Sequence, residues 1–281
     1  MASRNFCTTA ELAAELGDPD LGVIDASWHL PNTARIGVAE FRAKHIPGAV
    51  FFDIDTIADH DEGLPHMLPT PEALAKALTA LGLGDRMRFV VYDASGLYAA
   101  ARVWWMLRAY RVEAVRILDG GLPKWIKEGR PLETGDAHPS PRPFAPRLAD
   151  GFVASLEEVR AALATGSAQV VDARAAERFR GETQEPRPGV RSGRIPGSLN
   201  LPFSDIVEHG HLKPPDTLKA EFAARGIDLE KPIITTCGSG VTAAILALAV
   251  EEAGGRVAGL YDGSWAEWGS RADCPVATGP A

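Results

Sequence analysis

Short runs of branched apolar residues alternate with amphipathic stretches along most of this chain. The run Lys-Pro-Ile-Ile-Thr-Thr at 231–236 lacks polar–apolar alternation, so its strand is predicted to be buried on both faces. Residues 71–78 have the spacing of an amphipathic helix, and Ala243–Val250 reads as an apolar helix. This alternation predicts an α/β fold in which mainly parallel sheets are flanked by helices.

The same pattern occurs twice along the chain. Capping-box sequences begin at Thr8 and Ser155, and a strand ending in Asp follows each of them, at Asp25 and Asp172. Other shared anchors are Ile-Pro-Gly (46–48 and 195–197), a strand leading into Asp93 or Cys237, and a closing Asp-Gly (119–120 and 262–263). Repeats of this length indicate duplicated domains rather than a solenoid. We predict domains at 1–140 and 150–281, joined by an extended, semi-rigid, proline-rich linker at about 131–149.

Composition excludes several classes of function. The chain has 281 residues, a formal net charge of −8 and scattered basic residues, so no nucleic-acid-binding surface is expected. Its apolar runs are too short to cross a membrane, and the N-terminus does not resemble a signal peptide. Three cysteines form neither a disulfide framework nor a metal-ligand spacing, which favours a reducing, cytoplasmic location.

Cys237 stands where a predicted strand ends and a predicted helix begins. The hexapeptide Cys-Gly-Ser-Gly-Val-Thr at 237–242 would form a loop whose N–H groups point into one concavity, beside a positive helix N-terminus. Such surroundings favour a thiolate, the nucleophilic form of cysteine. The loop therefore predicts a nucleophile in an anion site, whereas Cys7 and Cys274 lack this setting and are interpreted as incidental thiols.

The repeats and the loop resemble the tandem rhodanese-domain sulfurtransferases over essentially the whole chain. In that family, thiosulfate sulfurtransferases (rhodaneses) typically carry Cys-Arg-Lys-Gly-Val-Thr, and 3-mercaptopyruvate sulfurtransferases carry Cys-Gly-Ser-Gly-Val-Thr. This chain matches the second form at every position of 237–242. The resemblance implies two tandem rhodanese-like domains. It also implies further substrate-binding residues in the loop, namely Gly238, Gly240, Val241 and Thr242.

Because the loop carries no cation, the substrate's carboxylate requires positive charge from elsewhere. The segment 177–187 resembles the family stretch that supplies two substrate-binding arginines, and Arg178 and Arg187 match those positions. Guanidinium groups pair bidentately with carboxylates, so both could orient an α-keto acid. From the residues alone, the alternative is a surface ion pair of Arg178 or Arg180 with Asp172 or Glu177. Arg180 is interpreted as structural.

The family also implies a relay of hydrogen-bonded groups at the active site. In 3-mercaptopyruvate sulfurtransferases an aspartate and a histidine reach the site across the domain interface and act with the loop serine. The matching residues here are Asp55, His66 and Ser239. From the residues alone, a structural role is the favoured interpretation of Asp55 and His66. Asp93 replaces the cysteine in the first repeat, which is therefore expected to be catalytically silent.

Sulfur transfer without a metal or organic cofactor is the activity that the resemblance implies. Cys237 would attack the sulfur of 3-mercaptopyruvate, release pyruvate, and pass sulfur from a persulfide to cyanide or to a thiol acceptor such as thioredoxin. A thiosulfate sulfurtransferase is the nearest alternative, and a non-enzymatic rhodanese-like binding module is a more distant one. A rhodanese-like phosphatase is disfavoured because its longer loop ends in Arg, whereas Ala243 follows this loop.

Overall fold

Two five-stranded sheets, one from each repeat, organise the computed structural model, which describes residues 3–61 and 63–280. The chain divides into two compact units. The first comprises Met1–Asp59, Leu68–Ala149 and His209–His211, and the second comprises His60–Met67, Asp150–Glu208 and Leu212–Ala281. Each unit thus includes a short segment from the other repeat, which the sequence pattern did not anticipate.

The first unit alternates strands and helices along the chain. Its strands are β1 (Phe6–Cys7), β2 (Leu21–Asp25), β3 (Ala49–Phe51), β4 (Arg88–Tyr92) and β5 (Val115–Leu118). Its helices are α1 (Thr9–Glu15), α2 (Gly37–Ala43), α3 (Ile54–Ile57), α4 (Pro71–Ala80), α5 (Ala99–Ala109) and α6 (Gly121–Lys127). The strand order is β1-β5-β4-β2-β3, and every pairing in it is parallel.

The second repeat has the same architecture. Its strands are β6 (Val153–Ala154), β7 (Gln169–Asp172), β8 (Leu199–Asn200), β9 (Val207–Glu208), β10 (His211–Leu212), β11 (Pro232–Thr236) and β12 (Arg256–Tyr261). Its helices are α7 (Leu156–Thr165), α8 (Ala176–Phe179), α9 (Pro215–Ala224), α10 (Val241–Glu252) and α11 (Ser264–Trp268). The five-stranded sheet has the order β6-β12-β11-β7-β8 and is also parallel, while β9 and β10 pair separately. The predicted fold class is confirmed.

Local sequence signals explain where several helices begin. Thr8 and Ser155 cap α1 and α7 in complete capping boxes, in which the carboxylate of Glu11 or Glu158 accepts the backbone N–H of the cap residue. Pro71 occupies the first turn of α4, where a missing N–H costs nothing. Residues 241–250 of α10 are all buried, as the apolar run predicts.

The proline-rich segment 131–149 lies against the first unit. It has no helix and no strand, but Phe144 is buried, and His45 and Glu133 exchange backbone hydrogen bonds at 2.9 Å. The N–H of Ala149 donates to the carbonyl of Ala109 at 2.7 Å. The segment is therefore anchored to the first unit at several points, although most of its residues are exposed.

Candidate active site

Cys237 lies at the carboxyl edge of the second sheet, directly after β11, and α10 begins four residues later. In parallel sheets this edge is where ligands bind. Neighbouring β7 ends in register with β11, because Thr236 pairs with Asp172. Gly240 caps α10 with φ 80°, a left-handed conformation that glycine adopts without strain. Cys237 therefore occupies the strand–loop–helix position that the sequence predicted, and its side chain is buried.

The N-terminus of α11 anchors the cysteine loop. The N–H groups of Trp265 and Ala266 donate to the carbonyls of Cys237 and Gly238, both at 3.0 Å. The hydroxyl of Ser264 accepts the Cys237 N–H at 3.3 Å and donates to the carbonyl of Tyr261 at 2.8 Å. Ser264 was not predicted as a site residue. The available signal was its place in the closing repeat anchor, where the first repeat has Gly121.

Arg178 lies beside the loop, and its contact with substrate stays a prediction. A Cβ on Gly238 would stand 3.2 Å from Nη2 of Arg178, so glycine permits this close approach of the guanidinium to the loop backbone. Nε and Nη2 of Arg178 both donate to the carboxylate of Glu185. The partner of Arg178 is thus a buried carboxylate seven residues later rather than an exposed surface group.

A buried arginine that the sequence analysis missed holds this arrangement together. Arg174 donates to Asp172, to Glu185 at 2.9 Å and to the carbonyl of Gly193 at 2.9 Å. Its guanidinium also stacks over the ring of Trp265, 4.4 Å from the centroid. Burial alone would lower the pKa of Arg174, but the charges of Asp172 and Glu185 and, to a smaller extent, Cys237 raise it.

The sequence offered one signal for Arg174. It stands two residues after the strand-ending aspartate, where the first repeat has Ser27 two residues after Asp25. In both repeats this residue donates its N–H to the aspartate, at 2.9 Å for Arg174 and 2.8 Å for Ser27. The shared turn is therefore structural, while the arginine side chain distinguishes the second repeat.

Ser239 and His66 are brought together within the second unit. Nδ1 of His66 lies 3.0 Å from Oγ of Ser239, and both side chains are buried. His66 adopts φ 60°, in the left-handed region that few non-glycine residues occupy. Although the sequence assigned His66 to the first repeat, its segment His60–Met67 belongs to the second compact unit.

Asp55 lies in α3 of the first unit and is exposed. Its Oδ2 accepts a hydrogen bond from the indole Nε1 of Trp28 at 2.7 Å. Asp53 caps the helix through bonds from the N–H groups of Asp55 and Thr56, which gives Asp53 a local structural role. Participation of Asp55 in a relay with His66 stays a prediction.

The remaining predicted substrate-binding residues occupy the loop, α10 and the segment after α8. Val241 and Thr242 form the first turn of α10 and are buried, and Gly240 precedes them. Arg187 is partly exposed, and its carbonyl accepts the N–H of Val190. Substrate contacts by these residues stay predictions.

The corresponding loop of the first unit surrounds a carboxylate side chain. Asp93 follows β4 as Cys237 follows β11, and its carbonyl accepts the N–H of Leu122 as that of Cys237 accepts Trp265. Its buried carboxylate accepts the N–H groups of Ser95, Tyr98 and Ala100 at 2.7 to 2.8 Å. Burial raises the pKa of Asp93, and these N–H groups oppose the rise. The loop therefore surrounds a carboxyl side chain with backbone N–H donors.

The other two cysteines have packing roles. Burial raises the pKa of Cys7 to about 12, so it stays a neutral thiol, and Cys274 accepts a hydrogen bond from Arg160 at 3.1 Å.

Arg180 pairs with Glu182 at the surface, as its structural interpretation predicts. In residues 3–61 and 63–280, no three or more His, Cys, Asp or Glu side chains are grouped to hold a metal. Within the same described ranges, no helix has the length and apolar character needed to cross a membrane.

Known proteins share this architecture over the whole chain. The rhodanese-like domain model matches residues 8–128 and 155–271. A 3-mercaptopyruvate sulfurtransferase of Escherichia coli K12 is 46% identical over 98% of this chain and 99% of its own length. A human 3-mercaptopyruvate sulfurtransferase is 43% identical over 97% of this chain and 92% of its own. The crystal structure of an E. coli 3-mercaptopyruvate sulfotransferase aligns with a TM-score of 0.86 and 42% identity, covering 92% of this chain and 98% of that one. The chain therefore belongs to the rhodanese-like family, within its tandem-domain sulfurtransferases.

Proposed function

We propose that this sulfurtransferase takes sulfur from 3-mercaptopyruvate onto Cys237, releases pyruvate and passes the sulfur to a thiol or to cyanide. The relatives named for 3-mercaptopyruvate cover nearly the whole chain, and the loop 237–242 has the form that the sequence analysis associates with that donor. No step of this reaction requires a metal or an organic cofactor.

The observation that carries the proposal is the contrast between the two repeat loops. The first loop binds the buried carboxylate of Asp93 through three backbone N–H groups. Cys237 stands at the corresponding position. A thiol brings no carboxylate into the loop, so the loop N–H groups can stabilise a thiolate, a persulfide or the anionic substrate. The paired loops therefore support nucleophilic sulfur chemistry in the second repeat only.

The proposed first half-reaction breaks one carbon–sulfur bond and forms one sulfur–sulfur bond. The Cys237 thiolate attacks the sulfur of 3-mercaptopyruvate, and the electron pair of the broken bond leaves with the pyruvate enolate. Protonation of that carbon gives pyruvate, and the enzyme retains a Cys237 persulfide. In the second half-reaction an acceptor thiolate takes the outer sulfur and restores the Cys237 thiolate.

Other side chains hold the substrate and move its protons. Arg178, beside Gly238, and Arg187 would bind the carboxylate and the keto oxygen through their guanidinium groups. Ser239, hydrogen-bonded to His66, would handle the proton that the leaving enolate takes up, and Asp55 would orient His66.

A dithiol protein such as thioredoxin is the proposed acceptor, and the cytoplasm is the proposed location. Attack by one thiol of a dithiol on the persulfide, followed by disulfide closure, would release the sulfur as hydrosulfide. All three cysteines are free thiols, which suits a reducing compartment. Hydrosulfide release that depends on reduced thioredoxin would support this acceptor.

Mass spectrometry of the protein after one addition of 3-mercaptopyruvate tests the nucleophile. We expect one extra sulfur on the peptide that contains Cys237, and no turnover and no added sulfur in Cys237→Ser. The matched controls Cys7→Ser and Cys274→Ser should both acquire the sulfur, because neither thiol lies in the loop. Sulfur found on Cys7 or Cys274 in the wild type would overturn the assignment.

The two possible donors are separated by their kcat/KM values. A larger value for 3-mercaptopyruvate than for thiosulfate is expected, because the loop 237–242 carries no basic residue. The reverse order would make the protein a thiosulfate sulfurtransferase. Absence of turnover with both donors would instead favour a non-enzymatic binding module.

A further inference from the structure

Glu185 is a buried carboxylate shared by two arginines. One of its oxygens, Oε1, accepts Nη1 of Arg174 at 2.9 Å and Nε of Arg178 at 3.3 Å, while Oε2 accepts Nη2 of Arg178. The Glu185 side chain is 3% exposed, whereas that of Arg178 is 29% exposed. Glu185 thus covers one edge of the Arg178 guanidinium from the protein side, and Gly238 of the loop lies against the same group.

The charges around Glu185 cancel. Arg174 and Arg178 carry two positive charges, and Asp172 and Glu185 carry two negative charges. Arg174 is enclosed by Asp172, Glu185 and the carbonyl of Gly193. Arg178 therefore offers hydrogen-bond donors to a ligand, but its positive charge is already opposed at close range by Glu185.

We propose that Glu185 determines donor specificity by opposing the charge of Arg178, so that the site favours a monoanionic sulfur donor over a dianionic one. The inference rests on the proposed function, in which Arg178 binds the donor. At neutral pH 3-mercaptopyruvate carries one carboxylate charge and thiosulfate carries two negative charges. Repulsion by Glu185 is therefore about twice as large for thiosulfate, in proportion to its charge.

Comparing two donors separates the effect of the Glu185 charge from an effect on the orientation of the Arg178 guanidinium. Removing Glu185 also frees the Arg178 side chain, but a misplaced guanidinium weakens the binding of both donors. The ratio of kcat/KM for thiosulfate to kcat/KM for 3-mercaptopyruvate cancels most of that shared loss. Two anions that flank one guanidinium lie roughly 6 Å apart. At that distance, one unit of charge changes the kcat/KM ratio about threefold at a dielectric constant of about 80 and about tenfold at about 40.

Glu185→Gln tests the proposal because it keeps the shape of the side chain and removes its charge. We expect the thiosulfate to 3-mercaptopyruvate ratio to rise about three- to tenfold. Glu182→Gln is the matched control, since Glu182 pairs with Arg180 at the surface only three residues away. The thiosulfate to 3-mercaptopyruvate ratio of Glu182→Gln should equal that of the wild type. Glu185→Asp, which keeps the charge, should lower both kcat/KM values without raising the ratio.

Equilibrium binding keeps the test independent of turnover. Sulfate and pyruvate serve as dianionic and monoanionic probes, and their affinities are measured by calorimetry on each variant after circular dichroism has shown that it is folded. The sulfate to pyruvate affinity ratio should rise about three- to tenfold in Glu185→Gln. Glu185→Ala, which leaves room for water between the arginines, gives the same comparison if the glutamine variant does not fold.

The outcomes distinguish this proposal from the proposed function. Unchanged donor and probe ratios in a folded charge-free variant would overturn the role of Glu185, even if 3-mercaptopyruvate is a good donor. A wild type that turns over neither donor would overturn the proposed function, while the sulfate and pyruvate affinities would still decide the charge effect. Equal ratio changes in Glu182→Gln and Glu185→Gln would show that only general surface charge is involved.

Discussion

The two loops differ chemically at the residue that directly follows the strand. Asp93 and Cys237 follow equivalent strands, and their carbonyls bind equivalent helix N–H groups. Asp93 supplies a carboxylate that cannot accept transferred sulfur, whereas Cys237 supplies a thiol, the nucleophile of the proposed reaction. The aspartate and the cysteine therefore mark corresponding positions, although α10 begins four residues after Cys237 and α5 begins six residues after Asp93.

Asp25 gives a pH-dependent contribution to stability. Burial raises its pKa to about 6, against hydrogen bonds from Ser27 and Tyr92 that lower it. Between about pH 4 and pH 6 the folded protein binds more protons at Asp25 than the unfolded chain does. The free energy of unfolding should therefore fall as the pH rises through this window, and the contribution is most favourable below pH 4.

Asp25→Asn should remove that pH dependence. Relative to the wild type, its free energy of unfolding should rise by about 2 kcal/mol between pH 4 and pH 7, as measured by urea denaturation. Asp216→Asn is the control, because that carboxylate is almost fully exposed and should leave the pH dependence unchanged. Parallel curves for wild type and Asp25→Asn would contradict the prediction.

At the scale of elements, helix starts were the features best determined by local sequence. Both capping boxes form as predicted, because their hydrogen bonds involve residues only three positions apart. The strand at 231–236 and the helix at 243–250 were predicted to within two residues of β11 and α10. An apolar run of this kind indicates that both faces of its own element are buried, whichever neighbouring element covers them.

The capping box of α7 should contribute measurably to stability. Ser155→Ala removes the side-chain acceptor for the Glu158 N–H, and we expect the free energy of unfolding to fall by about 1 kcal/mol. Denaturant unfolding provides the measurement. Ser204→Ala is the control, because the exposed Ser204 makes only a long contact with Asp205. A loss no larger than that of the control would show that water replaces the cap without cost.

At the scale of the whole molecule, sequence repeats and compact units differ in two short segments. His60–Met67 lies within the first repeat but belongs to the second unit, and His209–His211 lies within the second repeat but belongs to the first unit. His66 therefore meets Ser239 across 173 positions of sequence. Helical or strand periodicity cannot reveal such a contact, because it depends on where the chain returns in space.

His66→Asn tests the importance of this contact. Asparagine tolerates the left-handed backbone at position 66, so the variant should fold while losing the imidazole. General acid–base groups typically raise the reaction rate by at least about a hundredfold. We therefore expect kcat with 3-mercaptopyruvate to fall about a hundredfold. His60→Asn, in the same segment, is the control and should retain wild-type kcat. Wild-type kcat in His66→Asn would remove the His66–Ser239 pair from the mechanism.

The sequence by itself determined the fold class, the duplicated pattern, the helix caps and the position of Cys237 between a strand and a helix. These follow from periodicity and from hydrogen bonds between near neighbours, which short stretches of chain encode. Only the tertiary structure revealed Glu185 between Arg174 and Arg178 and Ser264 under the Cys237 N–H. The contact of His66 with Ser239 was implied by the family resemblance alone, and the structure brings the two side chains together. Those contacts join residues from separate elements, so burial and packing selected them, and no local pattern marks them in advance.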